Sequence, residues 1–431
     1  MRSKKIILSN FSRSRYSESF CLRPDNENQL IDHMTYNKPE HMLARGAGLS
    51  YNDSCLNSNG VVLDTQRFNH LISFNKDSGI AVCQASTAFK DLFLLDPEFI
   101  PPVIPGTVHA TVAGGIAHDV HGKNNPHEGS FGRHILWFEL LINNKKIRCS
   151  REEHSELFDA TIAGLGLTGI ITRLAIRLKK ASRWVQVENS SFNSFKALME
   201  HMSTHTLTHD YQVAWLDLLN TEQNSILSLA NHCTAVSPPL NKEESAHKVP
   251  KLPFSLIKSW NMKLFNKIYA TSKKPKELLS LEEFNNPLDK IAHWNRLYGP
   301  KGLIQFQAVF DQENALNTLE QLITLIQCHK ATPTLAVLKL FSQAGEGMLS
   351  FCQPGFTIAI DFIHNAKAQQ AIKAMNQLIS DINGRIYLAK DLLLTPEQYR
   401  KMYGNYDHFS QVLAHHQCSM QSDLAKRLGI K

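Results

Sequence analysis

No stretch of about 18 consecutive apolar residues occurs in this chain, so no segment reads as a transmembrane helix. No Cys-x-x-Cys pair occurs either. The eight cysteines (Cys21, Cys55, Cys83, Cys149, Cys233, Cys328, Cys352 and Cys418) are scattered. A chain of 431 residues buries a core without covalent staples, so these read as reduced thiols of a cytosolic protein rather than disulfides or zinc ligands. The basic start, Met1 to Leu8, lacks a long apolar core and a cleavage site, so no secretory signal is expected. Internal repeats and low-complexity tracts are missing. Charge of one sign is scarce: 46 Lys+Arg against 39 Asp+Glu leaves +7. That excess suits an anionic ligand or a membrane surface. It is too small and too dispersed for nucleic acid, and no nucleic-acid-binding motif is present.

What remains is ordinary globular composition over two or three domains' length. Residues 1–183 are rich in Gly and short β-like runs. Val61 to Leu63 follows the turn signal Asn59-Gly60, and Ile80 to Cys83 follows Asp77-Ser78-Gly79, so both predict hairpins. Ile135 to Ile142 reads as a buried strand. Residues 184–384 read as a second domain with a sheet and covering helices. Leu316, Leu319, Leu322, Ile323 and Ile326 fall at helical spacing. Leu335 to Phe341 and Phe356 to Phe362 are strand-like, and Ala366 to Leu378 is helical. The class is α+β. Between lies a segment, 234–280, that reads as mobile, with Pro238, Pro239, Pro250, Pro253 and Pro275. Within it Leu256, Trp260, Leu264 and Ile268 recur every four residues among Lys258, Lys263 and Lys267. Such a helix rests on anionic lipid headgroups or packs its stripe on its own domain; the packed reading is preferred.

Gly164, Gly166 and Gly169 match G-x-G-x-x-G. A dinucleotide site needs a strand before this motif and a helix after it. Here Ser155 to Ile162 is helical and Leu174 to Lys179 alternates like a strand, so the order is reversed. The motif is read as a tight helix-to-strand turn. Ala44 to Asp53 is a second glycine-rich turn, with Gly46 and Gly48 able to converge backbone N–H groups on an anion and Ser50 adding a hydroxyl. Gly106, then Thr111 to Ile116, expose further donors. His118, His121 and His127 fit no zinc spacing, so no metal is expected; with Lys123 and Asn124 they better line a pocket.

In their shared order these pieces resemble the flavin-binding domain of the vanillyl-alcohol-oxidase-like superfamily, the PCMH type. They are Arg45 to Tyr51, Ile104 to Thr107, His121 to Asn124 with Gly129 to Gly132, and Gly164 to Ile170. Val213 to Trp215, Trp294 to Pro300, Gln305 to Gln307, Lys339 to Phe341, Tyr387 to Asp391 and Ala425 to Leu428 extend the likeness over nearly the whole chain, toward the oxidases of polyprenylphosphoryl ribose.

The resemblance implies an FAD-binding domain, residues 1–183 completed by 385–431, and a substrate domain, 184–384, with an antiparallel sheet. It places FAD against Ala44, Arg45, Gly46, Ala47, Gly48, Leu49, Ser50, Tyr51, Asn52, Asp53 and Ser54. It adds Gly106, Thr111, Val112, Ala113, Gly114, His118, Asp119, Val120, His121, Ile170, Ile171 and Tyr387. Covalent relatives carry His where this chain has Leu49, and leucine forms no flavin linkage, so the FAD is expected to be non-covalent. Lys390 is implied beside the flavin and the reacting carbon, with a phosphate or surface contact as its competing role. His121 is implied to orient substrate or handle the proton. Gln305, Gln307 and Lys339 are implied to hold sugar hydroxyls or a phosphate. Three positions depart from the family's substrate side: Thr357 for Asn, Ala359 for Cys and Asn285 for Tyr. The expected activity is oxidation of a secondary sugar hydroxyl, such as the ribose C2 hydroxyl of a glycolipid phosphate. That would be the first half of an epimerisation in cell wall polysaccharide biosynthesis, completed by an NAD(P)H-dependent keto-sugar reductase. The alternatives are an alditol or aldonolactone oxidase and a non-catalytic flavin- or ligand-binding protein. The expected location is cytoplasmic, with peripheral membrane contact.

Overall fold

The computed structural model of the chain describes residues 3–37, 41–220, 222–233 and 247–430. Pro238 and Pro239, and with them the first part of the segment expected to be mobile, lie outside the described residues. Its remainder includes the helix Ser259–Ser272 and the strand Lys276–Ser280.

Two sheets of four and five strands, besides the short pair Phe99–Ile100 with Lys179–Lys180, are built from the first 180 residues. The first orders Lys4–Ser9, Tyr16–Leu22, Val61–Asp64 and Met42–Arg45 side by side. Val61–Asp64 runs parallel to both neighbours. This corrects the hairpin expected from Asn59-Gly60. The turn is there, with Asn59 in the left-handed region, but it returns the strand to a slot between partners from elsewhere in the chain. The second sheet orders Leu71–Asn75, Ile80–Gln84, Ile170–Arg177, Ile135–Ile142 and Lys145–Ser150, all antiparallel. Here the Asp77–Gly79 signal does close a hairpin.

The helix Ser155–Thr161 leads through 162–169 to the strand Ile170–Arg177, the order that excludes a dinucleotide motif. Ala163 and Leu165 take left-handed φ angles there, and a Cβ on Gly164 would stand 2.1 Å from the Ala160 carbonyl oxygen. That close approach is why glycine occupies the turn.

The third sheet has eight antiparallel strands. Their order is Lys276–Ser280, Trp184–Phe192, Ser225–His232, Tyr211–Leu216, Pro333–Phe341, Gly355–Ile363, Leu303–Phe310 and Arg385–Ile386. Alternation gives it two unlike faces. On one face Ile304, Phe306, Ala308, Leu338, Ile358 and Ile360 are buried in one cluster with Leu198, Leu319, Leu322, Ile372 and Met375 of three helices. Those helices are Phe195–Thr204, Ala315–Cys328 and Ala366–Asp381. Each of these side chains except Ala308 contributes roughly 1.5–3 kcal/mol by leaving water. Asn365 fixes the start of the last helix by accepting from the Ala368 N–H. The opposite face presents Gln305, Gln307, Lys339, Thr357, Ala359 and Asp361 in register: Gln305 opposite Asp361, Gln307 opposite Ala359, Lys339 opposite Thr357.

After Arg385–Ile386 the chain turns back to the first sheet. Met420 bridges Met42, the Gln421 N–H donates to the Met42 carbonyl, and the Asp423 N–H donates to the Leu56 carbonyl. All eight cysteines are free. Among the described residues no helix is long and apolar enough to cross a membrane.

Candidate active site

The glycine-rich loop leaves the strand Met42–Arg45 and lies half-buried. No backbone N–H from Gly46 to Ser50 finds an acceptor among the described residues. Gly48 has φ +68°, a turn that aims successive N–H groups one way. Opposite stands the helix Val112–Ala117, capped by the Thr111 hydroxyl, which accepts from the Gly114 N–H. The two approach so closely that a Cβ on Gly46 would meet the Thr111 hydroxyl at 2.5 Å.

His118 ends that helix. Its Nε2 lies 3.3 Å from both the Ser50 and the Ser54 hydroxyls, while its buried Nδ1 has no partner among the described residues. Burial, helped by the Lys390 charge, pushes its pKa down to about 4, so the ring is neutral at physiological pH.

His121 sits deeper, beside Phe341, Phe351 and Tyr387. Lys339 Nζ is 3.1 Å from its Nδ1, and the Gln307 amide is 3.0 Å from its Nε2. With Lys339 donating to Nδ1, the ring proton resides on Nε2, and Gln307 accepts it once its interchangeable amide ends are turned. Burial holds the ring neutral, well below the usual histidine pKa, with the charges of Lys339 and Lys390 acting in the same direction. Tyr387 crosses to the other histidine: its hydroxyl donates to the His118 carbonyl, 3.1 Å away.

Three lysines line the cleft, each half-buried and enclosed by protein. Lys390 Nζ stands 3.3 Å from the Tyr51 ring centroid. Lys123 Nζ bonds the Phe284 carbonyl and lies 4.4 Å from the Phe284 ring centroid. Burial lowers Lys123 to about 7, Lys339 to about 8 and Lys390 to about 7. The charge of Lys339 depresses both of the others. Asp361 opposes the shift at Lys390 and is itself raised to about 6, by burial first. Its carboxylate accepts from the Gln305 amide nitrogen. Gln305 Oε1 and Thr357 Oγ1 are buried without partners among the described residues.

Not every residue singled out in the sequence turns its side chain to this cleft. The Arg45 guanidinium donates to the Cys55 and Ser9 carbonyls. Asp53 forms two 2.9 Å contacts with Arg427. Asp119 accepts from Gly132 N–H, Glu346 N–H and the Ser350 hydroxyl. Asn52 caps Ser54 N–H and reaches the Leu388 carbonyl. Ile170 packs with Leu22, Leu30 and Met42. Gly106 faces open space. Asn285 bonds back to its own helix at Leu281 O and follows the carbonyl that holds Lys123. The three histidines of the rejected metal reading go separate ways, His127 to the His209 carbonyl. Among the described residues no three metal-ligating side chains cluster.

Sequence reasoning gave Asp361 and Arg427 no site role, and placed Lys123 only as a pocket-lining loop residue. The alternation Thr357, Ala359, Asp361 was the available signal for the first. Arg427 joins two segments that the sequence keeps far apart, pairing with Asp391 as well as Asp53, so the motifs at both ends of the chain are one clamp.

FAD brings phosphate oxygens, a ribityl chain and a flat ring. Unpaired N–H groups at Gly46–Ser50, the unpartnered His118 Nδ1 and the Cβ-free approach of Gly46 to Thr111 fit such a group. Comparison with known proteins agrees. Residues 19–150 match the family model of the FAD binding domain. The chain is 28% identical over 412 residues to decaprenylphosphoryl-beta-D-ribose oxidase of Mycolicibacterium smegmatis, covering 90% of this chain and 89% of that one. It is 26% identical over 361 residues to an uncharacterised protein of Streptomyces coelicolor, covering 76% and 95%. Cytokinin dehydrogenase 2 of Arabidopsis thaliana is 26% identical over 212 residues, covering 48% and 41%.

Proposed function

For this FAD-dependent oxidoreductase, with its PCMH type of FAD binding domain, we propose oxidation of a secondary hydroxyl on a phosphate-bearing sugar. The substrate we infer is a polyprenylphosphoryl ribose, oxidised at the ribose C2 hydroxyl. The observation that carries this reading is the trio Lys123, Lys339 and Lys390. Burial lowers all three pKa values, the Lys339 charge lowers those of Lys123 and Lys390 further, and a bound anion offsets both costs for Lys123 and Lys339. A free alditol or aldonolactone offers no such charge. The similarity to an oxidase of decaprenylphosphoryl ribose supports the same substrate class.

FAD, when bound, supplies the hydride acceptor. The remaining duties fall on side chains. Lys390, brought near neutrality by burial, accepts the hydroxyl proton at Nζ, with Asp361 beside it to balance the resulting charge. Lys339 and Lys123 hold the phosphate. Gln305, Gln307 and Thr357 orient the sugar, and neutral His121 fixes Lys339 and Gln307. The ring of apolar groups at Phe341, Phe351 and Tyr387 keeps water from this corner. The ketone product then passes to an NAD(P)H-dependent reductase that completes the epimerisation.

Anaerobic mixing tests the reading. A polyprenylphosphoryl ribose should bleach the flavin, and free alditols and aldonolactones should not. Equal bleaching by an uncharged alditol would overturn the phosphate assignment. Bleaching by nothing offered would return the chain to a non-catalytic flavin-binding role.

A further inference from the structure

The segment 247–276 contains eight lysines and not one Asp or Glu. Subtracting those eight from the chain's +7 leaves −1 for everything else, so this segment carries the chain's net positive charge, although Lys273 and Lys276 pair with Glu277 and Glu188. Its helix, Ser259–Ser272, is inverted relative to an ordinary surface helix. The inward side is narrow: Met262 is buried, Asn266 donates to Asp217 at 2.8 Å, and Tyr269 lies against Trp215. The opposite side is apolar. Trp260 is 71% exposed, Leu264 54% and Ile268 57%, with Phe254, Leu256 and Phe265 exposed nearby. Lys263 and Lys267 run along one flank of that stripe, both exposed. The stripe therefore does not pack on its own domain, contrary to the reading preferred from the sequence.

We propose that this face is a docking surface for an anionic phospholipid bilayer. Apolar side chains at the helix crest enter the headgroup–acyl boundary, and the flanking ammonium groups meet phosphates. Neither other occupant fits as well. Residues 234–246 offer only Val236 and Leu240 as large aliphatic groups. A second copy would bring the exposed Lys263 and Lys267 flanking the stripe against like charges. The patch adjoins the cleft: Lys273, at the helix end, is close enough to depress the pKa of Lys123, and Trp215 shares the sheet face of Lys339. A lipid-linked sugar anchored in the bilayer would enter beside this helix. The surface thus extends the function proposed above. Its test uses no substrate, so the two fail separately.

The FAD-loaded full chain is sedimented with vesicles of phosphatidylglycerol and phosphatidylcholine, and with phosphatidylcholine alone. Binding is expected only to the anionic vesicles and should weaken with salt. Lys263→Glu with Lys267→Glu should weaken it by roughly tenfold or more. Trp260→Ser with Leu264→Ser should weaken it without altering flavin content or thermal midpoint. Three results would overturn the proposal. They are no binding at low salt, equal binding by all variants, and a concentration-dependent dimer in size exclusion that Trp260→Ser dissolves.

Discussion

Lys339 Nζ stands 3.1 Å from His121 Nδ1, joining a central strand of the eight-stranded sheet to the loop that follows the Val112–Ala117 helix. The contact works only with a neutral imidazole, and burial keeps it neutral. His121 thereby ties the polar face of that sheet to this loop.

On the proposed mechanism Lys339 acts when charged and Lys390 when neutral, which sets the expected pH profile. Lys390 loses its proton as pH rises through about 7, and Lys339 as it rises through about 8. For a phosphate-bearing substrate, kcat at saturation should climb through about 7, while KM should rise as Lys123 loses its charge through about 7 and Lys339 through about 8. Lys339→Met should remove the rise of KM near pH 8 and raise KM at neutral pH about tenfold or more while changing kcat less. A pH series on both proteins checks this.

Lys390→Met should slow flavin reduction by roughly 10²- to 10⁴-fold, the usual range for a general base. Flavin content should stay normal, and the rise of rate through pH 7 should vanish. Anaerobic stopped-flow at several pH values reads all three.

Arg427 ties Asp53 to Asp391 through contacts of 2.9 Å. The two carboxylates are buried, so removing the guanidinium leaves both uncompensated. Arg427→Met should cost about 3–5 kcal/mol in urea unfolding. It should also loosen flavin retention on gel filtration, because Asp53 belongs to the glycine-rich loop. Asp423→Asn, at the rim, should cost well under half as much.

Much of the scaffold is readable in the chain. The Leu319, Leu322, Ile326 stripe yields the helix Ala315–Cys328, and alternation yields the strands Pro333–Phe341 and Gly355–Ile363, because burial on one face writes a period into the sequence. Pairing is harder. Asn59-Gly60 promises a hairpin, yet Val61–Asp64 lies parallel between strands from elsewhere, a choice made by tertiary packing. The site shows the same divide. The glycine-rich loop carries a local signature, whereas Lys390 is singled out only by the family resemblance. Asp361 acquires its role only from Gln305 across the sheet and the approach of Lys390. The Trp260 stripe could be read two ways until the burial of Met262 and Asn266 showed which side faces inward.

Gly46→Val should abolish flavin binding, since even its first carbon would strike Thr111. Gly46→Ala should retain flavin weakly and lose about 1 kcal/mol as the Thr111 cap of the Val112–Ala117 helix is displaced. Flavin content per chain and a thermal melt distinguish the two.

The most direct measurement is the visible spectrum of the purified chain before and after acid precipitation. Leu49 stands where covalent relatives carry the linking histidine, and leucine has no nucleophile. The flavin bands should therefore be present and pass wholly to the supernatant. Flavin left in the pellet, or a protein that stays colourless after incubation with FAD, would contradict the account.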